Sequence, residues 1–143
     1  MGELPDQGSS DVTVLDMEAS IEHLSRGTVR NVDVLLVITE PYYRSLETTG
    51  RIVPLARDLG LERVWVVANK VRSDRDEAAI GEYCAKHGFQ VIGVVPFDES
   101  ITEADHQGRS LIDFAPTARA VVAIEALADD VMDRTGVPRP VGV

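Results

Sequence analysis

The chain has 143 residues, of which 44% are hydrophobic and 27% are charged, and its formal net charge is −10. These values fit one globular domain with a sizeable core. The acidic balance argues against nucleic acid as a partner, because no basic patch can neutralise phosphates. No apolar run is long enough to cross a membrane, and the single cysteine, Cys84, excludes an internal disulfide. We therefore expect a cytoplasmic protein without a membrane partner.

The first strand is predicted at residues 11–16, where an apolar, β-branched run leads to Asp16. Glu18 follows, and the small residues Ala19 and Ser20 indicate a turn. A carboxylate in this position can hold the water shell of Mg²⁺ beside a nucleotide phosphate. Many strands end in Asp for turn geometry alone, so both interpretations stay open here.

Three more strands are predicted from apolar runs at residues 32–39, 63–68 and 90–95. These runs show little alternation, which is typical of strands covered on both faces of a parallel sheet. The prediction is an α/β fold, with a mostly parallel sheet of about four strands flanked by helices. The predicted domain spans residues 11–135, between a disordered lead-in at 1–10 and a flexible tail at 136–143.

Helices are predicted to alternate with the strands, at residues 45–59, 75–87, 100–106 and 116–134. The first has Ser45 as its expected N-cap and Pro54 in its interior, which predicts a kink or a break near Gly50. Ser73 begins a capping-box pattern before the second helix. Pro116 is expected at the first position of the last helix.

Polar residues follow the carboxyl ends of the later strands. Asn69 and Lys70 follow the third strand, and Pro96, Phe97 and Asp98 follow the fourth. Right-handed crossovers bring these ends to one edge of the sheet, where ligands bind in open α/β sheets. The Asn69 amide can donate to and accept from a purine base, although a capping or turn asparagine gives the same pattern. The second segment fits either a turn or the wall of a base pocket.

The order of these features resembles the MinD/ParA-type branch of P-loop ATPases. Within it, the run DMEASIEHLSRGT at residues 16–28 is similar to the switch II region of the CooC group, the ATPases that insert nickel into carbon monoxide dehydrogenase. Looser similarity continues through residues 40–60, 66–71 and 95–105. The resemblance covers residues 11–133 and implies an incomplete P-loop NTPase fold.

The resemblance implies roles for the candidate residues and a cofactor, which is ATP or ADP with Mg²⁺. Asp16 and Glu18 would act in catalysis, with Asp16 bound to Mg²⁺ through water. The positions that would contact the nucleotide are Ala19, Ser20, Asn69, Lys70, Pro96, Phe97 and Asp98. Asn69 would read adenine. Ser20 stands where the family pattern has Gly, which restricts the switch turn.

Two family elements are absent from the sequence. The phosphate-binding loop G-x-x-x-x-G-K-[ST] is missing, since neither Lys70 nor Lys86 follows a glycine, and so is the C-x-C pair that holds metal between two CooC subunits. The chain therefore resembles the C-terminal half of a family member, and we expect weak or no nucleotide binding and no hydrolysis by this chain alone. Without the strand that carries the loop, the first two predicted strands would pair with each other or with another chain.

Two functions remain open from the sequence. The first is the C-terminal part of a CooC-type ATPase in metalloenzyme maturation, acting as a homodimer or with the missing N-terminal half or a paralogue. The second is a catalytically silent binding module that docks on a full-length ATPase or another protein through residues 17–31. A response-regulator-like domain fits less well, because Asp16 lacks an acidic partner from an earlier strand end and a well-placed lysine.

Overall fold

Three strands and six helices make up the part of the chain that the computed structural model describes, which is residues 11–18 and 24–137. In chain order the elements are α1 (Arg26–Arg30), β1 (Leu35–Thr39), α2 (Tyr43–Asp58), β2 (Val64–Val71), α3 (Asp74–His87), β3 (Val91–Pro96), α4 (Glu99–His106), α5 (Leu111–Phe114) and α6 (Arg119–Thr135). None of the helices in these ranges has the length and apolar character needed to span a membrane.

The strands form one parallel sheet in the order β1-β2-β3, with β2 in the middle. Three consecutive residues of β2, Val66, Val67 and Ala68, are buried, so this strand is covered on both of its faces. The α/β fold predicted from the sequence, with a parallel sheet flanked by helices, is therefore confirmed. The parallel pairing places the carboxyl ends of all three strands at the same edge of the sheet.

The segment 11–18 forms no strand, so the prediction of a strand at residues 11–16 is wrong. Val12 and Val14 are 55% and 87% exposed, and this little burial does not offset the entropy of fixing an extended backbone. The sheet in the described ranges has three strands rather than four, and β1 pairs with β2 alone. Direct pairing of the first predicted strand with β1 is thus wrong as well, while pairing with another chain stays a prediction.

Helix α2 runs without interruption through Pro54, so the predicted break near Gly50 is wrong. The proline is exposed, while the residues on the opposite side of the helix are buried against the sheet. Those buried residues are Ile52, Val53 and Ala56. Tertiary burial of this kind supplies most helical stability in proteins, and it keeps the backbone helical despite the missing hydrogen bond.

Two predicted helix starts are also wrong. Helix α2 begins at Tyr43, and Ser45 lies in its first turn, where the Ser45 Oγ accepts a hydrogen bond from the Glu40 backbone N–H at 2.9 Å. Helix α6 begins at Arg119, and Pro116 lies in a turn before it. In contrast, the Ser73 cap of α3 is confirmed, because its side chain accepts from the backbone N–H of Asp76.

The two faces of the sheet carry separate cores. The larger core lies against α2 and α3, and its fully buried members include Val53, Val66, Ile80 and Cys84. The smaller core lies against α6 and includes Val67, Val95 and Ala120. Helix α6 reaches β3 closely because Gly93 has no side chain, since a Cβ there would lie 2.9 Å from the Leu127 Cδ1. This packing holds the middle of α6 against β3.

Candidate functional site

The carboxyl edge of the sheet joins residues from all three strand ends. Glu40 follows β1, Lys70 lies near the end of β2, and the two side chains form an ion pair with 2.6 Å between Nζ and Oε1. The hydrogen bond to the Glu40 carboxylate, followed by its charge, raises the pKa of Lys70. The pair links β1 to β2. Because both groups are partly exposed to solvent, it stabilises the fold by at most about 1 kcal/mol.

Asn69 and Lys70 form a bulge in β2. Ala68 pairs with Val94 and Val71 pairs with Pro96, so Asn69 and Lys70 together face a shorter stretch of β3. The φ angle of Lys70 is +56°, in the left-handed region that is unfavourable for a residue with a side chain. Bulges re-aim side chains out of the regular alternation of a strand, and they are frequent next to active sites.

The side-chain amide of Asn69 is available to a ligand. The residue is half-buried, and none of the hydrogen bonds of the described residues involves this amide. Asn offers both donors and acceptors, which suits the edge of a purine base. The Asn69 amide therefore lies unpaired at the edge of the sheet where ligands of open α/β folds bind.

Phe97 is held firmly beside this bulge. Its backbone N–H donates to the Val71 carbonyl at 2.9 Å, and its own carbonyl accepts from the Arg119 guanidinium at 3.3 Å. The Arg72 guanidinium lies over the ring, 3.7 Å from its centroid. The site thus contains an aromatic face on a fixed backbone, of the kind on which a flat heterocycle stacks, and a planar cation already covers it.

The Asp98 carboxylate joins two helices and is not open to a ligand. Its Oδ1 accepts from the Ser100 backbone N–H at 2.9 Å, at the start of α4, and its Oδ2 accepts from the Ala120 backbone N–H at 3.1 Å, at the start of α6. The hydrogen bond from Ser100 and then the one from Ala120 lower the pKa of Asp98. Because both oxygens have backbone donors, this carboxylate is a double helix cap.

The other predicted site residues lie elsewhere. Asp16 and Glu18 are exposed in the irregular segment 11–18, so the sheet does not bring them to its carboxyl edge. Ala19 and Ser20 lie outside the described residues. Pro96 ends β3 and pairs with Val71. The structure therefore gathers the residues predicted to surround the base, while the predicted catalytic carboxylates are not part of the sheet.

The sequence places Glu40 just past a strand end at this edge without predicting its ion pair, and it predicts no role for Arg72. Glu40 lies directly after β1, and this position after a strand is the sequence feature that could have indicated its contact with Lys70. Arg72 lies directly after β2, which is the same feature for its contact with Phe97. The sequence alone cannot show which of several polar residues beyond a strand end will meet across the edge, because that depends on the bulge.

The described residues contain no group of three or more His, Cys, Asp and Glu side chains that could hold a metal ion. Asp16 is consistent only with a looser arrangement, since an exposed carboxylate can contact a hydrated cation through water. No metal centre is therefore assigned to the carboxyl edge from the protein ligands alone.

The chain matches a family model described as "4Fe-4S iron sulfur cluster binding proteins, NifH/frxC family" over residues 39–143. It is 39% identical over 126 residues to the carbon monoxide dehydrogenase accessory protein CooC of Rhodospirillum rubrum, covering 88% of this chain and 46% of CooC. An uncharacterized ATP-binding protein of Methanocaldococcus jannaschii, MJ0685, is 36% identical over 126 residues, or 87% of this chain and 49% of that protein. The chain thus spans about half the length of these relatives.

Solved structures of the MinD and ParA proteins share the fold. The septum site-determining protein MinD of Pyrococcus horikoshii, complexed with Mg-ADP, aligns with a TM-score of 0.60 and 23% identity over 76% of this chain and 44% of its own. A ParA family ATPase of Chlorobium tepidum aligns with a TM-score of 0.63 and 22% identity over 76% and 47%. The predicted resemblance to MinD/ParA and CooC proteins is confirmed by these matches.

The residues of this chain do not fit the iron–sulfur cluster in the family description. Such clusters are held by cysteine thiolates, four for a [4Fe–4S] cluster. Cys84 is the single cysteine of the sequence, and it is buried in the core on α3. Burial raises the pKa of the Cys84 thiol, which disfavours the thiolate that a cluster requires.

Proposed function

The chain belongs to the NifH/frxC family, and we propose that it is the C-terminal part of a MinD/ParA-like, CooC-type ATPase that binds the nucleotide base. In this proposal the complete ATPase works in the cytoplasm and supports the maturation of carbon monoxide dehydrogenase, the enzyme in the name of its relative CooC. The proposed cofactor is ATP or ADP with Mg²⁺, and this chain alone binds it weakly or not at all.

One observation carries the proposal, which is the unpaired Asn69 amide on a bulge that adjoins the hydrogen-bonded backbone of Phe97. An amide that presents donors and acceptors at a strand end can read the edge of adenine, and an aromatic face can support the base. Lys70 and Pro96 frame the same corner in β2 and β3. The role of Asp98 is to fix the helices around this corner through its two caps.

The phosphates need groups that this sequence does not carry. A P-loop holds them with a nest of backbone N–H groups and a lysine, and the sequence has no G-x-x-x-x-G-K-[ST] run. The proposal therefore assigns them to a partner, which is a second polypeptide with the N-terminal half, a paralogue, or the other subunit of a homodimer. Asp16 and Glu18, with Ala19 and Ser20, act as switch II in that assembly. Asp16 would hold Mg²⁺ in that assembly, and the ion would supply positive charge against the phosphates.

The first test is calorimetric titration of the chain with Mg·ATP and Mg·ADP, together with an assay for phosphate release. We expect no binding in the micromolar range and no hydrolysis. Residual millimolar binding of AMP is then followed by amide chemical shifts, and Asn69→Ala should weaken it by about fivefold, the effect of losing about one hydrogen bond. Gln90→Ala is the matched control, because Gln90 is an exposed amide at the opposite end of β3. Micromolar affinity of the unmodified chain would contradict the proposal.

The second test reconstitutes the ATPase from two polypeptides. The chain is mixed with the N-terminal half of Rhodospirillum rubrum CooC, a protein that is 39% identical to this chain over 126 residues. We expect ATP hydrolysis in the mixture and in neither part alone, with a large loss in Asp16→Ala. Hydrolysis that is insensitive to both Asp16→Ala and Asn69→Ala would remove the proposed roles of these residues.

A second function is favoured by the outer edge of β1. In the described ranges no strand pairs with this edge, and Ile38 next to it is 50% exposed. Such an edge accepts a strand from another chain. The chain would then be a silent module that docks on a full-length ATPase, with or without the segment at residues 17–31 that the sequence suggested.

Binding to full-length CooC by analytical ultracentrifugation separates the two functions. A docking module binds without nucleotide, and Ile38→Asp should weaken that binding at least tenfold, because it places a charge in the new strand pair. Ile101→Asp is the control, since Ile101 is similarly exposed but lies on α4. Binding that needs nucleotide, and that Asn69→Ala weakens, would favour the ATPase part instead.

A further inference from the structure

The contact between Arg72 and Phe97 differs from the other contacts of its kind in the described residues. The Arg72 guanidinium carbon lies 3.7 Å from the ring centroid of Phe97. The other arginine–aromatic contacts are at 5.4 to 5.6 Å. A separation of 3.7 Å is that of two stacked planar groups, so the guanidinium covers the ring face as a flat ligand would.

The stacked guanidinium is held by little else. No carboxylate in the described part of the chain forms an ion pair with it. The nearby Asp76 carboxylate accepts instead from the backbone N–H of Arg72, at 2.9 Å. That bond anchors the backbone at the end of β2 and leaves the side chain free to swing. A cation–π contact at an exposed position is worth about 0.5–1 kcal/mol, so displacing the guanidinium is cheap.

Phe97, by contrast, has a fixed backbone. Its backbone is bonded on both sides, to Val71 through its N–H and to Arg119 through its carbonyl. Arg72 lies directly after β2, the strand that carries Asn69, so the guanidinium, the ring and the amide all belong to the carboxyl edge of the sheet. A base that stacks on this face of Phe97 would have to displace the guanidinium.

We propose that Arg72 is an internal competitor for the base, which occupies the stacking face of Phe97 until a nucleotide displaces it. This inference rests on the proposed function, because it assumes that the base binds at Asn69 and Phe97. The displaced guanidinium becomes a free cation at the carboxyl edge, beside the negatively charged phosphates of the ligand. Arg72 thereby lowers affinity for bare nucleosides and favours ligands that carry phosphate.

Adenosine is the probe that isolates the competition, because it has a base but no phosphate for the cation to attract. Adenosine is titrated against the unmodified chain, Arg72→Ala and Arg72→Gln, with amide and side-chain signals followed by NMR. Arg72→Ala should bind adenosine about two to five times more tightly than the unmodified chain, which is the value of the lost cation–π contact. Arg75→Ala is the control with the same change in charge, three positions further along, and should bind as the unmodified chain does.

A second readout needs no variant. Stacking on Phe97 shifts the Arg72 Nε–H signal by ring current, and adenosine should return that signal toward the position of a free arginine. Equal or weaker adenosine binding by Arg72→Ala and Arg72→Gln, with signals of Asn69 and Phe97 still responding, would overturn the competition while leaving the base site in place. An absence of any response at Asn69 and Phe97 in all the proteins would overturn both the competition and the proposed base site.

Discussion

The end of β3 and the segment 11–18 share a sequence pattern, in which an apolar, β-branched run leads to an aspartate. The surroundings of the two aspartates, Asp98 and Asp16, differ. After β3, both carboxylate oxygens of Asp98 bond to backbone N–H groups of two helices, and Phe97 is bonded at its N–H and its carbonyl. In segment 11–18, Val14 is 87% exposed and Asp16 lies in irregular backbone. The difference is a neighbouring strand, which β3 has in β2 and the segment lacks within the described residues.

The comparison teaches that an apolar run is a strand only in the presence of a partner. An isolated extended segment leaves its backbone groups to water and gains too little burial to offset its lost entropy. The same carboxylate chemistry is therefore rigid in one place and unsupported in the other. In the proposed assembly, a second polypeptide supplies the missing support to segment 11–18.

The largest expected effect is at Asp98. Asp98→Ala removes the cap of α4 and the bond to α6, and we expect a loss of about 2 kcal/mol in the free energy of unfolding, measured with urea. Asp105→Ala is the control, because Asp105 is an exposed residue on the same helix. It should change stability by less than about 0.5 kcal/mol. A similar stability for both variants would mean that the end of β3 is no better supported than segment 11–18.

The same carboxylate predicts a pH dependence. Its pKa is lower in the folded protein than the ordinary value of 3.8, so the folded state favours the charged form. The stabilising contribution is complete above pH values near 3.8 and is lost as the pH falls below it toward the folded pKa. Urea denaturation of the unmodified chain between pH 5 and about 2.5 should show this loss, and Asp98→Asn should show a smaller one. If the free energy of unfolding falls equally with pH in both proteins, Asp98 is not the source of the pH dependence.

The next effect is expected at Gly93, where α6 packs on β3. A Cβ at this position would lie 2.9 Å from the Leu127 Cδ1, so Gly93→Ala should destabilise the protein by about 1–2 kcal/mol. Gly81→Ala is the matched control, and its expected effect on stability has the opposite sign. Gly81 lies inside α3 with open space around it, and alanine there should stabilise the protein by about 0.5–1 kcal/mol. Thermal unfolding followed by circular dichroism measures both. Two changes of the same sign would show that the contact with Leu127 does not limit the packing.

A smaller effect is expected at the bulge. Lys70→Gly relieves the left-handed backbone, worth about 1 kcal/mol, and loses an ion pair worth about 0.5 kcal/mol, so the net gain in stability should be about 0.5 kcal/mol. Glu40→Gln isolates the ion pair and should cost about 0.5 kcal/mol. If Lys70→Gly is less stable than Glu40→Gln, the backbone at Lys70 is not strained. The base site should keep its affinity for AMP in Glu40→Gln, since Asn69 is untouched.

Sequence patterns predicted the features that depend on neighbours in the chain. The apolar run of β2 and the cap at Ser73 are of this kind, and both are confirmed. Features that depend on distant residues were not predictable. The Asp98 carboxylate meets Ala120 from 22 positions away, and that contact, rather than Pro116, marks the start of α6. The sequence predicted Asn69 and Phe97 as site residues because they follow apolar runs. It did not predict the bulge or the stacking of Arg72, because both depend on how the strands pair.

The smallest effect is expected in segment 11–18, and it tests the comparison most directly. Val14→Ala should change the free energy of unfolding by less than about 0.5 kcal/mol, because the side chain is almost fully exposed. Val66→Ala makes the same chemical change at a fully buried position of β2 and should cost about 2 kcal/mol, which shows that urea denaturation detects the loss. In the mixture with the N-terminal half of CooC, the proposal expects Val14 to become buried, so Val14→Ala should then lower the stability of the assembly by about 1 kcal/mol or more. A cost of that size in the chain alone would show that the segment already has a partner within this chain, and the contrast with the end of β3 would fail.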